Sequence, residues 1–178
     1  MDFEWVADAM DSVRVPRNAR LRLTRRGLTV VPVTHAHRTT ARRIANQIEA
    51  RLPGWTPVGG FAVVPSREGC TPEPDAGALP LGRVRAGESE VGESLLPFVV
   101  EVASPEGGQE HTTSPDHYAR RGIPAYLVVD VRAARWTLLT RPAEGEYRHA
   151  ESGFFGERIG IPVAGRVLVL DSSEFQRI

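Results

Sequence analysis

Lysine is missing from this chain: all 22 of its basic residues are arginine. That excludes a Walker-type phosphate loop, a Schiff-base lysine and a Ser-Lys dyad, each of which needs the ammonium group. Cysteine is nearly missing. Cys70 stands alone, so there is no internal disulfide and no Cys-rich zinc site, and its neighbours Gly69, Thr71 and Pro72 read as loop. No apolar run reaches membrane length and no charged-then-apolar leader is visible, so the expectation is a cytoplasmic protein without a membrane partner. A net charge of zero argues against strong non-specific binding to nucleic acid.

The 178 residues present, with 41% hydrophobic and 25% charged content, suit one soluble domain over residues 1–178. The charges are segregated. Ser12 to Asn46 holds nine arginines and no acid, whereas Ala86 to Asp116 holds seven acids and no arginine. The first segment could follow a phosphate backbone and the second could hold divalent cations; the plainer reading is that they pair with each other or are solvated.

Apolar spacing predicts a short helix over Phe3–Val13, ended by Pro16. Ala19–Thr24 and Leu28–Val33 alternate like a hairpin around Arg25-Arg26-Gly27. Thr34 can cap a helix running to about Leu52, with Thr40, Ala41, Ile44, Ala45, Ile48 and Leu52 on one face and Pro53-Gly54 as the stop. Gly60–Pro65 reads as a strand, residues 82–94 as a surface loop, and Pro97–Ala103 as a buried strand. After a flexible turn over Pro105–Thr112, Thr113 or Ser114 caps a short helix with Pro115 first, Tyr118 and Ala119 on its apolar side and Gly122 closing it. Pro124–Val131, Arg135–Thr140 and Val163–Leu170 complete the strands. The order predicts an α/β fold, a mixed central β-sheet flanked by helices with late antiparallel strands.

Two acids stand out against this background. Glu101 interrupts the apolar strand Phe98-Val99-Val100-Glu101-Val102-Ala103, and an acid there costs several kcal/mol (on the order of the usual desolvation penalty) unless it is paired or metal-bound. Asp75 follows Pro74 in Glu73-Pro74-Asp75-Ala76. The other candidates are weaker. His35-Ala36-His37 would chelate a metal only if both rings pointed one way, and a histidine at a helix start is expected at the surface. His111 and His117 flank the acidic loop, with exposed cap positions as the default. Ser104, His117 and Asp116 have the residue types of a nucleophilic triad without the nucleophile-elbow glycines. Asp130 is expected to cap the turn before Arg132, and Trp55 and Trp136 to pack in the core or at its rim.

The stretch Leu96-Pro97-Phe98-Val99-Val100-Glu101-Val102-Ala103-Ser104-Pro105, followed by Tyr118-Ala119-Arg120-Arg121-Gly122-Ile123-Pro124-Ala125-Tyr126-Leu127-Val128-Val129-Asp130, closely resembles the Uma-type putative restriction endonuclease family of the PD-(D/E)xK nuclease superfamily. The Arg20–Val33 hairpin, His37 and Pro74-Asp75 fall in family order, so the resemblance spans roughly residues 3 to 171. It implies a PD-(D/E)xK restriction-endonuclease-like core that hydrolyses DNA, commonly as a homodimer. It also implies that Asp75, Glu101 and the backbone carbonyl of Val102 hold Mg2+ or Mn2+, a hard ion suited to oxygen ligands.

The chain departs from that pattern at the third catalytic group. The superfamily lysine would fall at Ala103, and the family's displaced lysine, four residues before the tyrosine, falls at Ser114. Neither supplies a cation, and losing such a group typically costs about 10²–10⁴ in rate. Gln109, Glu110, His111 or His117 could orient water in its place. The family's first-strand glutamate is here Arg22. The leading reading is therefore a metal-dependent endonuclease, the second a silent relative that binds nucleic acid or protein, and the third a repurposed small-molecule enzyme.

Overall fold

The computed structural model describes residues 19–24, 27–59, 62–64, 74–83, 90–92, 95–103 and 115–178. The expected helix over Phe3–Val13, the turn over Pro105–Thr112, and Cys70, Ser104, Gln109, Glu110, His111, Thr113 and Ser114 lie outside them.

A six-stranded sheet forms the centre. Its strands are β3 (Trp55–Val58), β5 (Ala76–Pro80), β7 (Phe98–Ala103), β8 (Ala125–Asp130), β9 (Arg135–Ala143) and β10 (Glu146–Phe154), in the order β10-β9-β8-β7-β5-β3. Within this sheet only β7 and β8 run parallel, so the chain must cross over between them, and it does so through helix α2 (Pro115–Arg120). Three two-stranded ladders complete the fold: β1 (Ala19–Thr24) with β2 (Gly27–Pro32), β4 (Ala62–Val64) with β6 (Glu90–Gly92), and β11 (Arg158–Val163) with β12 (Arg166–Asp171). The predicted mixed sheet flanked by helices is what the chain forms.

Helix α1 (His35–Arg51) follows from its sequence as anticipated. Thr34 is the N-cap, its hydroxyl accepting from the His37 N–H, and Leu52 is the C-cap. Ile44, Ile48 and Leu52 bury against Val100, Val102, Leu127 and Val129 of the sheet, and the β11–β12 hairpin adds Ile159, Ile161, Leu168 and Leu170 to the same core. The opposite face of the sheet carries a smaller cluster: Val58, Leu79, Leu96, Val99, Tyr118, Ile123 and Tyr126. Alternation along β7 thus sends Val100 and Val102 towards α1, and Val99 towards α2.

The amide of Gln47 joins α1 to the other end of the chain. Its Nε2 donates to Asp171 O at 3.0 Å and its Oε1 accepts from Asp171 N–H at 2.7 Å, satisfying both backbone groups of one residue of β12. Nearby, the Ser173 hydroxyl and N–H both donate to the Asp171 carboxylate, which holds its pKa below the usual range.

Five strands depart from expectation, among them Ala76–Pro80, which follows the Pro74-Asp75 segment where no strand was anticipated. Trp55–Val58 pairs with β5 where a stop was anticipated, and Glu90–Gly92 is a strand inside the expected surface loop. Glu146–Phe154 is a full edge strand that escapes a search for apolar runs, because most of its residues are exposed. Arg158–Val163 is a separate strand, so the expected single strand from Val163 to Leu170 is a hairpin end followed by β12. Both late hairpins turn on two residues of positive φ, Glu144-Gly145 (54° and 81°) and Ala164-Gly165 (46° and 79°), the backbone of a type I′ turn. Alanine is strained there, since the left-handed region costs an L-residue about 1–2 kcal/mol. Ala164→Asn is expected to raise stability by about 0.5–1 kcal/mol, measured as an upward shift of the urea midpoint; a lower midpoint would contradict this assignment of the turn.

Candidate active site

Asp75 reaches β7 one residue from Glu101, at the middle of the sheet, and the two acids are held by groups on opposite faces of it. Asp75 lies just before β5, where the ladder runs Ala76↔Val100 and Gly77↔Val99. Its own N–H donates to Val100 O at 2.9 Å, so both Asp75 and Ala76 address Val100 and the strand begins with a bulge-like step. One residue on, where β5 no longer offers a backbone acceptor, the Asp75 carboxylate takes over: Oδ2 accepts from the Val102 N–H at 2.7 Å. The N–H and C=O of a strand residue point to the same side, so the Val102 carbonyl shares this edge with Asp75.

The other oxygen of Asp75 meets α1. His37 Nε2 lies 2.9 Å from Asp75 Oδ1, with both side chains almost wholly buried (7% and 1% exposed). The angle departs from a well-formed hydrogen bond, and His37 Nδ1 is buried without a hydrogen-bond partner. The expectation of a surface histidine is therefore wrong for His37, which is 5% exposed. His35 is the exposed one, its ring contacting Thr39 Oγ1. The two rings diverge because residues two apart on a helix face different ways.

Glu101 is 1% exposed. Alternation along β7 turns it away from α1 and towards α2, where the Tyr118 hydroxyl donates to Glu101 Oε1 at 2.7 Å. Tyr118 is anchored by the end of α2: Ile123 N–H donates to Tyr118 O and Gly122 N–H to Ala119 O, a Schellman close that needs the positive φ of Gly122 (70°). The three tyrosines of the chain pack in a row behind Glu101. Tyr118 and Tyr126 are 4.9 Å apart and Tyr126 and Tyr147 6.4 Å apart, ring centre to ring centre. Burial pushes the Tyr147 phenol up, keeping it a donor to Ile123 O at 2.9 Å. Tyr118→Phe removes a hydrogen bond to a buried acid, a change worth about 1.5–3 kcal/mol. Chemical denaturation should report a loss of that size, and an unshifted midpoint would mean that the hydroxyl does not support Glu101.

The remaining sequence candidates fall outside this pair of contacts. His117 is half-buried, packed edge-on against Tyr118 at 5.6 Å, and its Nε2 accepts from Arg121 Nη1. Asp116 is exposed, which removes the orienting acid from the Ser104–His117–Asp116 arrangement. Asp130 caps the turn as anticipated, its Oδ1 accepting from the N–H groups of Arg132 and Ala133 at 2.9 and 2.8 Å. Trp136 is buried and donates to Phe154 O at 3.2 Å. Tyr118 is the functional candidate that pattern reading passed over, since it was counted only as an apolar residue.

The donor set is of the right chemical type for a hard cation. Magnesium is commonly bound through one or two carboxylates, with water completing its shell, and each carboxylate offers about four lone-pair positions, which the hydrogen bonds above do not exhaust. Among the described residues no group of three His, Cys, Asp or Glu side chains gathers into a metal-holding cluster, so any ion here would lean on the two carboxylates and the Val102 carbonyl. Among the described residues, too, no helix is long and apolar enough to cross a membrane.

Comparison with solved structures gives the same architecture. A putative nuclease belonging to DUF820 from Anabaena variabilis superposes with a TM-score of 0.70 over 94% of this chain and 95% of that one, at 13% identity, a level that speaks for the fold alone. Among curated proteins none matches. The model of the Uma2 family, described as putative restriction endonuclease, matches residues 9–168, which takes in α1, Asp75, β7 and α2. With nine-tenths of its length inside that match, the chain belongs to the Uma2 family of putative restriction endonucleases.

Proposed function

We propose that this protein is a metal-dependent endonuclease that hydrolyses DNA phosphodiester bonds, with Asp75, Glu101 and the Val102 carbonyl as the groups that hold Mg2+ or Mn2+. The observation that carries the reading is that two buried acids meet at β7: Asp75, just before β5, accepts from the N–H of the very residue that follows Glu101. When bound, the ion would polarise the phosphoryl oxygen and acidify a coordinated water. The chain's own part is positional. Val102 N–H and His37 set the rotation of the Asp75 carboxylate, and Tyr118 sets that of Glu101. His117 and Ser114 are the nearest substitutes in sequence for the absent lysine, as groups that could orient water. Cutting both strands of a duplex symmetrically calls for two sites, so a homodimer acting in the cytoplasm belongs to the same reading.

A second reading is a silent relative that keeps the fold as a nucleic-acid or protein-binding module. It is favoured by the two carboxylates' partners, His37 on the α1 side and Tyr118 on the α2 side of β7, and by a chain with no lysine. Plasmid nicking separates the two. Mg2+- or Mn2+-dependent nicking that falls by at least about 10²-fold in both Asp75→Asn and Glu101→Gln supports the nuclease. Metal binding without nicking supports the silent module, and a gain of nicking in Ser114→Lys would show that only the cation is missing. Absence of both metal binding and nicking would sink the nuclease proposal.

A further inference from the structure

The face of the sheet that carries Glu101 is closed at β7 and opens towards the β10 edge. Residues paired across a ladder point to the same face, so the registers carry this face outward strand by strand. One row runs Glu101–Val128–Thr137–Ser152, and the next, two residues on, runs Ala103–Asp130–Arg135–Phe154. Along the first row Glu101 is buried, Val128 and Thr137 are half-buried, and Ser152 is exposed. The second row starts at Ala103, where the superfamily lysine would stand, and ends on two exposed residues, Arg135 and Phe154. By ordinary strand spacings, Arg135 lies about 10 Å across the sheet and about 7 Å along it from Glu101. That is the length of a few nucleotides.

Arg135 and Phe154 form a unit. The guanidinium lies over the Phe154 ring, 4.7 Å from its centre, and makes no hydrogen bond or ion pair among the described residues. The neighbouring Asp130 carboxylate is turned to its own cap, accepting from Arg132 and Ala133. The Phe154 backbone is held at both of its polar groups: its N–H donates to Glu157 Oε1 at 3.0 Å and its C=O accepts from Trp136 Nε1 at 3.2 Å. On this fixed backbone the ring is nonetheless 57% exposed. It adds little to the core from there, and an exposed cation–π pair adds little to folding. What the pair offers is a stacking surface beside a phosphate donor, since every base has a π face and arginine supplies a planar fork. A chain of zero net charge is poorly suited to hold a strand by phosphate contacts alone, which favours a site where stacking supplies part of the affinity. Bases inside a duplex are already stacked on one another, so the occupant has to present one that is not.

We infer that Arg135 and Phe154 form a subsite for an unstacked nucleotide of a single DNA strand, its base on the Phe154 ring and its phosphate on Arg135. The strand would cross the short side chains of Thr137 and Ser152 to reach the Asp75–Glu101 site. The choice of a nucleic acid as occupant rests on the nuclease reading; the subsite adds that the substrate includes a single-stranded stretch.

The test uses the whole chain in a chelator, so that binding is read without cleavage. Anisotropy follows a fluorescent oligothymidine of about 15 nucleotides, within the usual span of a single-strand site, against a blunt duplex of equal length. Oligothymidine is expected to bind more tightly than the duplex. Phe154→Leu, which stays apolar but loses the ring, should weaken oligothymidine binding about tenfold, and Phe154→Trp should restore it. Arg135→Gln should weaken it too, and lower the slope of log affinity against log salt by about 0.7, the share of one single-strand phosphate contact. All three variants should melt with the parent, because both side chains are exposed. Parent-like binding by both Phe154→Leu and Arg135→Gln would overturn the subsite, as would a parent that binds no oligothymidine or prefers the duplex. Tighter binding of oligouridine would overturn the assignment to DNA. Plasmid nicking is read separately: nicking that persists beside any of these results leaves the nuclease reading standing without the subsite. Ring-dependent binding by a wild type that neither binds metal nor nicks keeps the subsite and sinks the nuclease reading.

Discussion

Asp75→Ala is expected to cost about 3–5 kcal/mol, a large fraction of the stability of an ordinary domain. Two losses combine. The Val102 N–H, on a residue 4% exposed, loses its acceptor, and an unsatisfied buried donor costs about 1–3 kcal/mol. His37, 5% exposed, loses the only partner that lies against its Nε2 among the described residues. The sign of the effect is informative. Where acids are gathered only to hold an ion, deleting one relieves repulsion and stabilises the metal-free protein. Here the carboxylate also completes the sheet, so deletion should destabilise it. Asp75→Asn retains an oxygen for Val102 and should lose less than Asp75→Ala. Urea denaturation of the metal-free protein, with a double-mutant cycle to His37→Ala, measures both terms. A midpoint raised by Asp75→Ala would show that the hydrogen bond to Val102 contributes nothing.

Gly59→Ala is the second large effect, and it reaches the same site from behind. A Cβ at residue 59 would come within 3.0 Å of the Asp75 carbonyl oxygen and lie 3.3 Å from its carbonyl carbon and 3.6 Å from the Ala76 Cα. All three are backbone atoms, so no side chain can swing aside, and overpacking of this kind costs about 1–3 kcal/mol or more. The displaced backbone would be that of Asp75, whose N–H meets Val100 O and whose side chain meets Val102. The expected result is a stability loss of about 2–4 kcal/mol together with loss of metal affinity, since the carboxylate moves with its backbone. Differential scanning calorimetry and Mn2+ titration report the two separately. Normal affinity in a destabilised variant would show that the clash is absorbed at residue 59, away from Asp75.

The parts of this fold that could be read from sequence were those with a local physical signature. Thr34 and Pro53 bound α1 because a capping hydroxyl and a missing N–H act where they stand. β7 showed itself as an apolar run, and Glu101 as its exception. His37 was legible too, in hindsight of the spacing: residues 37, 40, 44 and 48 follow one helical face, so the imidazole had to be buried with Thr40, Ile44 and Ile48. What stayed hidden was the partner, because Asp75 reaches His37 only through the register of β5 on β7. Tyr118 was read as apolar although a buried phenol needs an acceptor, which is itself a pointer to Glu101. The β9–β10 hairpin escaped because its far strand is a solvent-facing edge carrying Arg148, His149 and Glu151, without an apolar face to mark it. That Glu101 faces α2 follows from alternation alone, since it lies between two residues that face α1.

The Gln47–Asp171 clamp has a consequence for how the molecule comes into being. Residues 124 positions apart settle one another, and Thr40 Oγ1 accepts from Gln176 N–H across a separation of 136. Helix α1 can form early on its own capping signals, but it cannot take its final seat until β12 has been synthesised and paired. His37 rides on that helix, so the His37–Asp75 contact, made entirely from the first half of the sequence, is completed only when the last strands arrive. Such distant closures slow folding, since the entropy of a long loop must be lost before its contacts form. During synthesis the His37–Asp75 contact is thus among the last to close, and a chain stalled before β12 would leave Asp75 without its helix partner while the Val102 and Tyr118 hydrogen bonds could already form.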